Sequence, residues 1–168
     1  MTPFAAPRWL RGAHAQTVWA PLVRRQAPPP RTRERLELPD GDFVDLDWTD
    51  EDSRRPLVVV LHGLAGSGDS AYVVGIQHAL RAVGIGSVVM HFRGAGGEPN
   101  RLARGYHSGD TGDLRTLMQA VAARFPGRPA GIVGYSLGGN VMLKYLGEDG
   151  SRAPVHAACA VSVPFELP

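Results

Sequence analysis

The stretch "GIVGYSLGGN", residues 131–140, decides how this chain is read. It sets Ser136 between an apolar run, "AGIV" at 130–133, and a helix-compatible segment, "NVMLKYL" at 140–146. A serine at such a junction occupies a tight turn, and side chains two positions to either side would collide. Gly134 and Gly138 meet that requirement, and Gly139 lets the following helix approach the sheet. The pattern G-x-S-x-G is weak evidence by itself in a chain with 21 glycines. Between a strand and a helix it reads as a nucleophile elbow, with the Ser136 hydroxyl at the positive end of a helix dipole. The plain alternative is an ordinary strand-to-helix turn.

Working outward, "LVVVLHG" at 57–63 is a continuous apolar run, the pattern of a strand covered on both faces. Residues 87–93, 130–136 and 155–163 read the same way. Helices are expected between them. Residues 71–83 place Tyr72, Val73, Ile76, Leu80 and Val83 on one side and stop at Gly84. Residues 111–125 carry Leu114, Leu117, Met118, Val121, Ala122 and Phe125 at helical spacing, with Asp110 or Thr111 to cap. A third helix should run from just after Ser136 to near Gly147. Upstream, "RERLELP" and "DFVDLDW" alternate apolar and polar residues about an Asp40-Gly41 turn, which predicts a half-exposed antiparallel hairpin. The expected fold is α/β: a three-layer, doubly wound, mostly parallel sheet preceded by an antiparallel hairpin. Residues 1–31 read as a loop-like arm ending in Pro28–Pro30, and residues 32–168 as the α/β domain.

In such sheets ligands bind beyond the carboxyl ends of the strands. There the loop "HGLAGSGDS", 62–70, follows the first buried strand. Acyl transfer needs two donors aimed at an oxyanion. One is the amide after the nucleophile, Leu137; the natural second is Leu64, just past His62 and Gly63. His62 itself reads as a strand-end residue rather than a base. A phosphate-loop reading fails because no Gly-Lys-Ser/Thr follows. In the loop "HFRGAGGEPNRLARGYHSGDTGDL", 91–114, His107 and Asp110 lie on the ligand side. They either shape a pocket or cap the helix and pin the loop, and the second reading is favoured.

The composition is that of a globular chain: 168 residues, 43% hydrophobic, 20% charged, net charge +2. Seven arginines fall within residues 8–35 with Glu34 the sole acid there. This is read as a solvated basic segment, since no nucleic-acid recognition motif accompanies it. It leaves peripheral membrane contact of the arm open. No run approaches the ~18 apolar residues of a membrane span, and the opening residues lack a signal-peptide core. The expected location is cytoplasmic. Cys159, the one cysteine, sits in "VHAACAVSV" and is expected in the core. No His/Cys/Asp cluster has metal-ligand spacing, so no metal is expected.

Taken together, "PRWLRGAHAQTVW", "HGLAGSGDSAYVVGIQHAL", "RGAGGEPNRLARGYHSGDTGDL" and "GYSLGGN" resemble the α/β-hydrolase superfamily, and within it the YheT-like esterase branch related to ABHD-type lipid hydrolases. The likeness runs from about Pro7 to the end. It implies cofactor-free, serine-dependent hydrolysis of small-molecule or lipid carboxylic esters through a Ser-Asp-His triad. Ser136 matches the nucleophile, and Leu64 and Leu137 match the oxyanion positions. It leaves the oligomeric state open.

The resemblance also implies a chain about twice this length, with the acid and base in the second half, so the sheet here is expected to stop after its sixth strand. A triad Ser136–Asp149–His156 can be written on paper. Geometry opposes it: the helix after Ser136 carries the chain ~16 Å away at 1.5 Å per residue, and His156 then opens the next strand at its amino end. Glu166 lies on the correct side but without a histidine, and is a weak acid candidate. The competing functional readings are a non-catalytic binding module on the same fold, and an acyltransferase or thioesterase using the same serine.

Overall fold

The computed structural model describes residues 6–23, 26–52 and 54–165. Along the chain these form α1 (Ala13–Val23), β1 (Thr32–Glu37), β2 (Phe43–Trp48), β3 (Leu57–Leu61), α2 (Ala71–Ala82), β4 (Gly86–Met90), α3 (Gly112–Arg124), β5 (Ala130–Tyr135), α4 (Leu137–Asp149), a 3₁₀ turn (Gly150–Arg152) and β6 (Ala157–Val161). The strands make one six-stranded sheet in the order β1-β2-β4-β3-β5-β6. β1 and β2 pair antiparallel, as do β2 and β4. β4, β3, β5 and β6 run parallel.

Side-chain alternation along β3 builds the three layers. Leu57, Val59 and Leu61 point to one face, where they pack with Leu114, Leu117 and Met118 of α3 and Val141, Met142 and Tyr145 of α4. Val60 points to the other, with Val73 of α2 and Val89 of β4. Each fully buried aliphatic side chain of this kind contributes about 1.5–3 kcal/mol of transfer free energy. α3 exists because Leu114, Leu117, Met118 and Val121 recur at helical spacing and are all buried. Its cap residue is Thr111, yet the Thr111 hydroxyl donates to Glu148 Oε2 of α4 at 2.7 Å instead of serving an α3 amide. α2 ends at Gly84, whose φ of 73° lets the Gly84 and Ile85 amides fold back onto the Arg81 and Leu80 carbonyls.

Three expectations are corrected. Residues 13–23, read as loop, form α1: residues 13–20 hold no helix breaker, and Pro21 falls only in the last turn. β2 is buried along its whole length rather than half-exposed. The reason is electrostatic: Arg33 of β1 grips Asp47 at 2.7 and 2.9 Å and Arg35 reaches Asp45 at 3.0 Å, so the arginines lie over the aspartates. Part of the basic segment is thereby spent on carboxylates within the fold, Arg31 also pairing with Asp69. Finally, Ala157–Cys159 of β6 and Cys159 itself are exposed, not core. β6 is an edge strand, and no described element covers it beyond the α4 side.

Candidate active site

β5 delivers the chain to Tyr135, α4 takes it away from Leu137, and Ser136 makes the corner with φ 50° and ψ −117°. Positive φ in a non-glycine residue is strained and persists only where the surroundings impose it. They do so here. The Ser136 amide donates to Val161 O of β6 at 2.8 Å, and its carbonyl accepts the Asn140 amide at 3.1 Å. The side chain is exposed and makes no capping bond to α4. Its hydroxyl therefore stands at the amino end of a 13-residue helix, where the dipole favours negative charge.

The glycines around it are spaces, not flexibility. A methyl on Gly134 would lie 2.6 Å from Gly138 O, and one on Gly138 would lie 2.7 Å from Leu61 O. A methyl on Gly139 would meet Val163 Cγ2 at 2.5 Å. Gly138 thus sits on the end of β3, while Gly139 sits under the segment after β6.

The loop after β3 lies against this corner: a methyl on Gly63 would be 3.3 Å from Ser136 Cβ. Its amides are ordered by two phenols. Gly63 N–H donates to Tyr72 Oη at 2.9 Å and Ala65 N–H to Tyr106 Oη at 2.9 Å. Between them Leu64 turns its side chain to solvent. A cleft of about 310 Å³ opens over Ser136, bounded by Gly63 and Leu64 on one side and Val161 and Ser162 on the other, with the Tyr72 and Tyr135 rings, 4.7 Å apart, in its lining. A larger hollow of about 400 Å³ beside Arg31, Trp48 and Glu51 shares no residue with it and holds no nucleophile.

His62 is fully buried at the end of β3. Its Nδ1–H donates to Gly63 O at 2.8 Å and its Nε2 accepts the Phe92 amide at 3.2 Å. Burial pushes its pKa down to about 4, against the opposing pull of the Gly63 carbonyl. It is a neutral strut between the ends of β3 and β4. The neighbouring loops rest on β2. Gly68 comes so close to Asp47 and His91 that a methyl there would lie 2.6 Å from Asp47 Oδ2. Burial opposes ionisation of Asp47, but hydrogen bonds from His91 and Arg33 prevail and hold its carboxyl well below the usual range. Buried Arg93 makes a bidentate bond to Asp113 at 2.8 and 2.7 Å and a third to Asp42 at 3.0 Å, anchoring the start of the 91–110 loop.

The remaining candidates do not converge on Ser136. His107 donates from Nδ1 to Ser108 O at 2.7 Å, and Asp110 accepts Arg104 at 3.0 Å; neither lines the cleft. They pin their own loop, which Lys144 ties to α4 through Gly109 O. Asp149 is paired with Arg115 at 3.0 Å. His156 sits beside Ala130 at the amino end of β5, about 20 Å of extended strand from Ser136. The paper triad is excluded on these distances. Glu166 lies outside the described residues. Among the described residues no histidine is hydrogen-bonded to Ser136, no group of His, Cys, Asp and Glu is arranged to hold a metal ion, and no helix is long and apolar enough to cross a membrane. Sequence reasoning missed Tyr72 and Tyr106. Tyr72 was legible only as part of a helix face, and nothing local marks Tyr106.

Residues 56–167 match the family described as the alpha/beta hydrolase fold. The chain belongs to that family. Among curated α/β-hydrolase relatives it is 45% identical to the putative esterase YheT of Escherichia coli, over 98% of this chain and 49% of that protein. It is 32% identical to human phospholipase ABHD3, over 92% of this chain and 40% of that one. The chain therefore spans half or less of the length of these relatives. The Pyrococcus furiosus esterase Pf2001 superposes with a TM-score of 0.69 at 22% identity, over 82% of this chain and 52% of that one, a likeness of fold. The six-stranded sheet with its antiparallel leading strands is the α/β-hydrolase arrangement expected from the sequence.

Proposed function

We propose that this α/β-hydrolase chain carries the nucleophile and oxyanion hole of a serine ester hydrolase acting on carboxylic esters, lipid esters included. One observation carries the reading: Ser136 is held in a strained, exposed corner at a helix N-terminus, in a cleft shared with the Leu64 loop. Ser136 Oγ attacks the ester carbonyl. The oxyanion that forms is stabilised by the amides of Leu137 and Leu64, the alcohol leaves, and water then releases the acyl group from Ser136. The partly apolar lining of Tyr72, Tyr135 and Val161 suits an acyl chain. The names of the relatives, putative esterase and phospholipase, support the same class.

The hydroxyl's proton needs a base within ~3 Å or one water away. No described histidine offers this, so the proposal assigns base and acid to protein beyond residue 168. The test is hydrolysis of p-nitrophenyl butyrate by the full-length protein and by residues 1–168, with Ser136→Ala in each. Full-length turnover abolished by Ser136→Ala is the expected result, with the short chain slower by about 10⁴-fold. Equal turnover by the short chain would place the base within it. A full-length protein that folds but neither turns over nor is labelled at Ser136 by a fluorophosphonate is a binding module instead. Labelling with transfer to an added alcohol or thiol in preference to water would mark an acyltransferase.

A further inference from the structure

Gly63, Leu64 and Ala65 follow one another in the loop whose first two residues line the cleft, and the amides of Gly63 and Ala65 are already committed. Gly63 N–H donates to the Tyr72 hydroxyl and Ala65 N–H to the Tyr106 hydroxyl, each at 2.9 Å. An amide hydrogen bond orients the whole planar peptide unit that carries it. The planes before and after the Gly63–Leu64 peptide are thus both anchored. The middle plane, which bears the Leu64 N–H, is held on its carbonyl side, where Gly63 O accepts His62 Nδ1–H at 2.8 Å and the Gly66 amide at 3.0 Å, and the two phenols fix the planes on either side of it. Ala65 is held at φ 54°, a left-handed conformation disfavoured outside glycine, and the Tyr106 bond acts on that residue's own amide.

The two phenols reach the loop from separate parts of the fold, and each is braced. Tyr106 stacks on Phe92 with ring centroids 5.0 Å apart, and Phe92 meets His62 edge-on at 4.9 Å. Tyr72 packs on Tyr135, the residue before Ser136. The Tyr72 hydroxyl and Ser136 Cβ lie 3.6 and 3.3 Å from one point beside Gly63 Cα, so phenol, loop and nucleophile are in mutual register. Each hydroxyl acts here as an acceptor, a role phenylalanine lacks while keeping the ring.

We propose that Tyr72 and Tyr106 are positioning residues for ester hydrolysis, their hydroxyl oxygens clamping the loop so that the Leu64 amide faces the oxyanion formed at Ser136. This rests on the serine hydrolase reading above. Losing one oxyanion donor outright costs about 10²–10³ in kcat, so a donor that is loosened rather than lost should cost about 10–100-fold.

The experiment uses the full-length protein with Tyr72→Phe, Tyr106→Phe and the double variant. Four quantities are measured: kcat and KM on p-nitrophenyl butyrate, Ki for a trifluoromethyl ketone that forms an oxyanion on the serine, and Ki for the matching secondary alcohol, which forms none. The expected result is a fall in kcat of about 10–100-fold with KM within about three-fold. The ketone Ki should rise in step with the loss of kcat/KM while the alcohol Ki stays put. Ketone affinity and kcat within two-fold of wild type in all three variants overturn the inference, as does an equal weakening of ketone and alcohol. Amide hydrogen exchange in the unaltered protein is a second readout, independent of any variant's folding. Gly63 and Ala65 should exchange more slowly than Leu64, and the reverse order overturns the clamp. Wild-type protein without Ser136-dependent turnover sinks the hydrolase reading and this inference together; an active wild type with indifferent variants sinks this inference alone.

Discussion

Gly138, in the first turn of α4, rests directly on His62 at the end of β3: a methyl added to Gly138 would lie 2.5 Å from the His62 carbonyl oxygen. That contact fixes the distance between the helix that starts at the nucleophile and the loop that faces it. Gly138→Ala should therefore do two things. It should destabilise the fold by about 1–3 kcal/mol, the usual range for forcing a methyl into packed backbone. It should also push α4 away from the Leu64 loop and lower kcat by more than its effect on KM. Urea denaturation and steady-state kinetics on the same preparation check both. A variant as stable and active as wild type would show that the helix has slack at this contact.

Ser136 holds φ at 50° without being glycine. Ser136→Gly removes the Cβ that makes this conformation costly, so it should stabilise the native state by about 1 kcal/mol while abolishing turnover. Ser136→Ala keeps the Cβ and should abolish turnover with no such gain. Comparing the urea midpoints of the two variants separates strain from lost chemistry. Equal midpoints would mean that the corner is not strained.

The layers of this fold were legible because their signals are local. The apolar run Leu57–Leu61, the helical spacing of Leu114, Leu117, Met118 and Val121, and the glycines flanking Ser136 each state their own environment. What escaped reading depends on partners distant in sequence. Asp45 and Asp47 look like the wet face of β2 until Arg33, Arg35 and His91 are brought to them. Cys159 looks buried by its apolar neighbours, but a strand's burial is decided by what stacks on it, and β6 is at the sheet's edge. At the site, Ser136 and the loop after β3 announce themselves in short motifs. Tyr72 and Tyr106 reach that loop from 9 and 41 residues away through single hydroxyls, and no spacing rule encodes that.

Asp42 is wholly buried and accepts bonds from Asn100 Nδ2 at 2.8 Å, the Arg101 amide at 3.0 Å, the Phe43 amide at 2.9 Å and Arg93 at 3.0 Å. Burial alone would raise its pKa. These donors overcome that and lower it from 3.8 to about 2. A carboxyl whose pKa is depressed on folding adds stability that is fully present above its unfolded value. That stability is lost as the pH falls from about 4 through about 2. Asp42→Asn should therefore be less stable than wild type at pH 7, and the difference should shrink below pH 4. Urea midpoints at pH 7, 4 and 2.5 test this, and a gap that is constant with pH would detach the carboxylate charge from the effect.

His62 sets a second and separate acid limit. Burial depresses its pKa from 6.5 to about 4, so the folded protein resists a proton that the unfolded chain takes up. For a base the sign is as follows: the unfolded state binds more protons between these two values, and stability falls as the pH is lowered from about 6.5 to about 4. The decline due to His62 thus precedes that due to Asp42. Protonation would also put a hydrogen on Nε2, where the Phe92 amide already donates, and would detach β4 from the loop that carries Gly63 and Leu64. Stability should accordingly decline, through unfolding, as the pH falls through about 5, with no titration of the folded His62 ring near pH 6.5. Following the His62 Cε1–H resonance of the full-length protein by NMR gives a direct check. An inflection near pH 6.5 in folded protein would show that the ring is solvated and protonatable, and its role as a neutral strut would have to be abandoned.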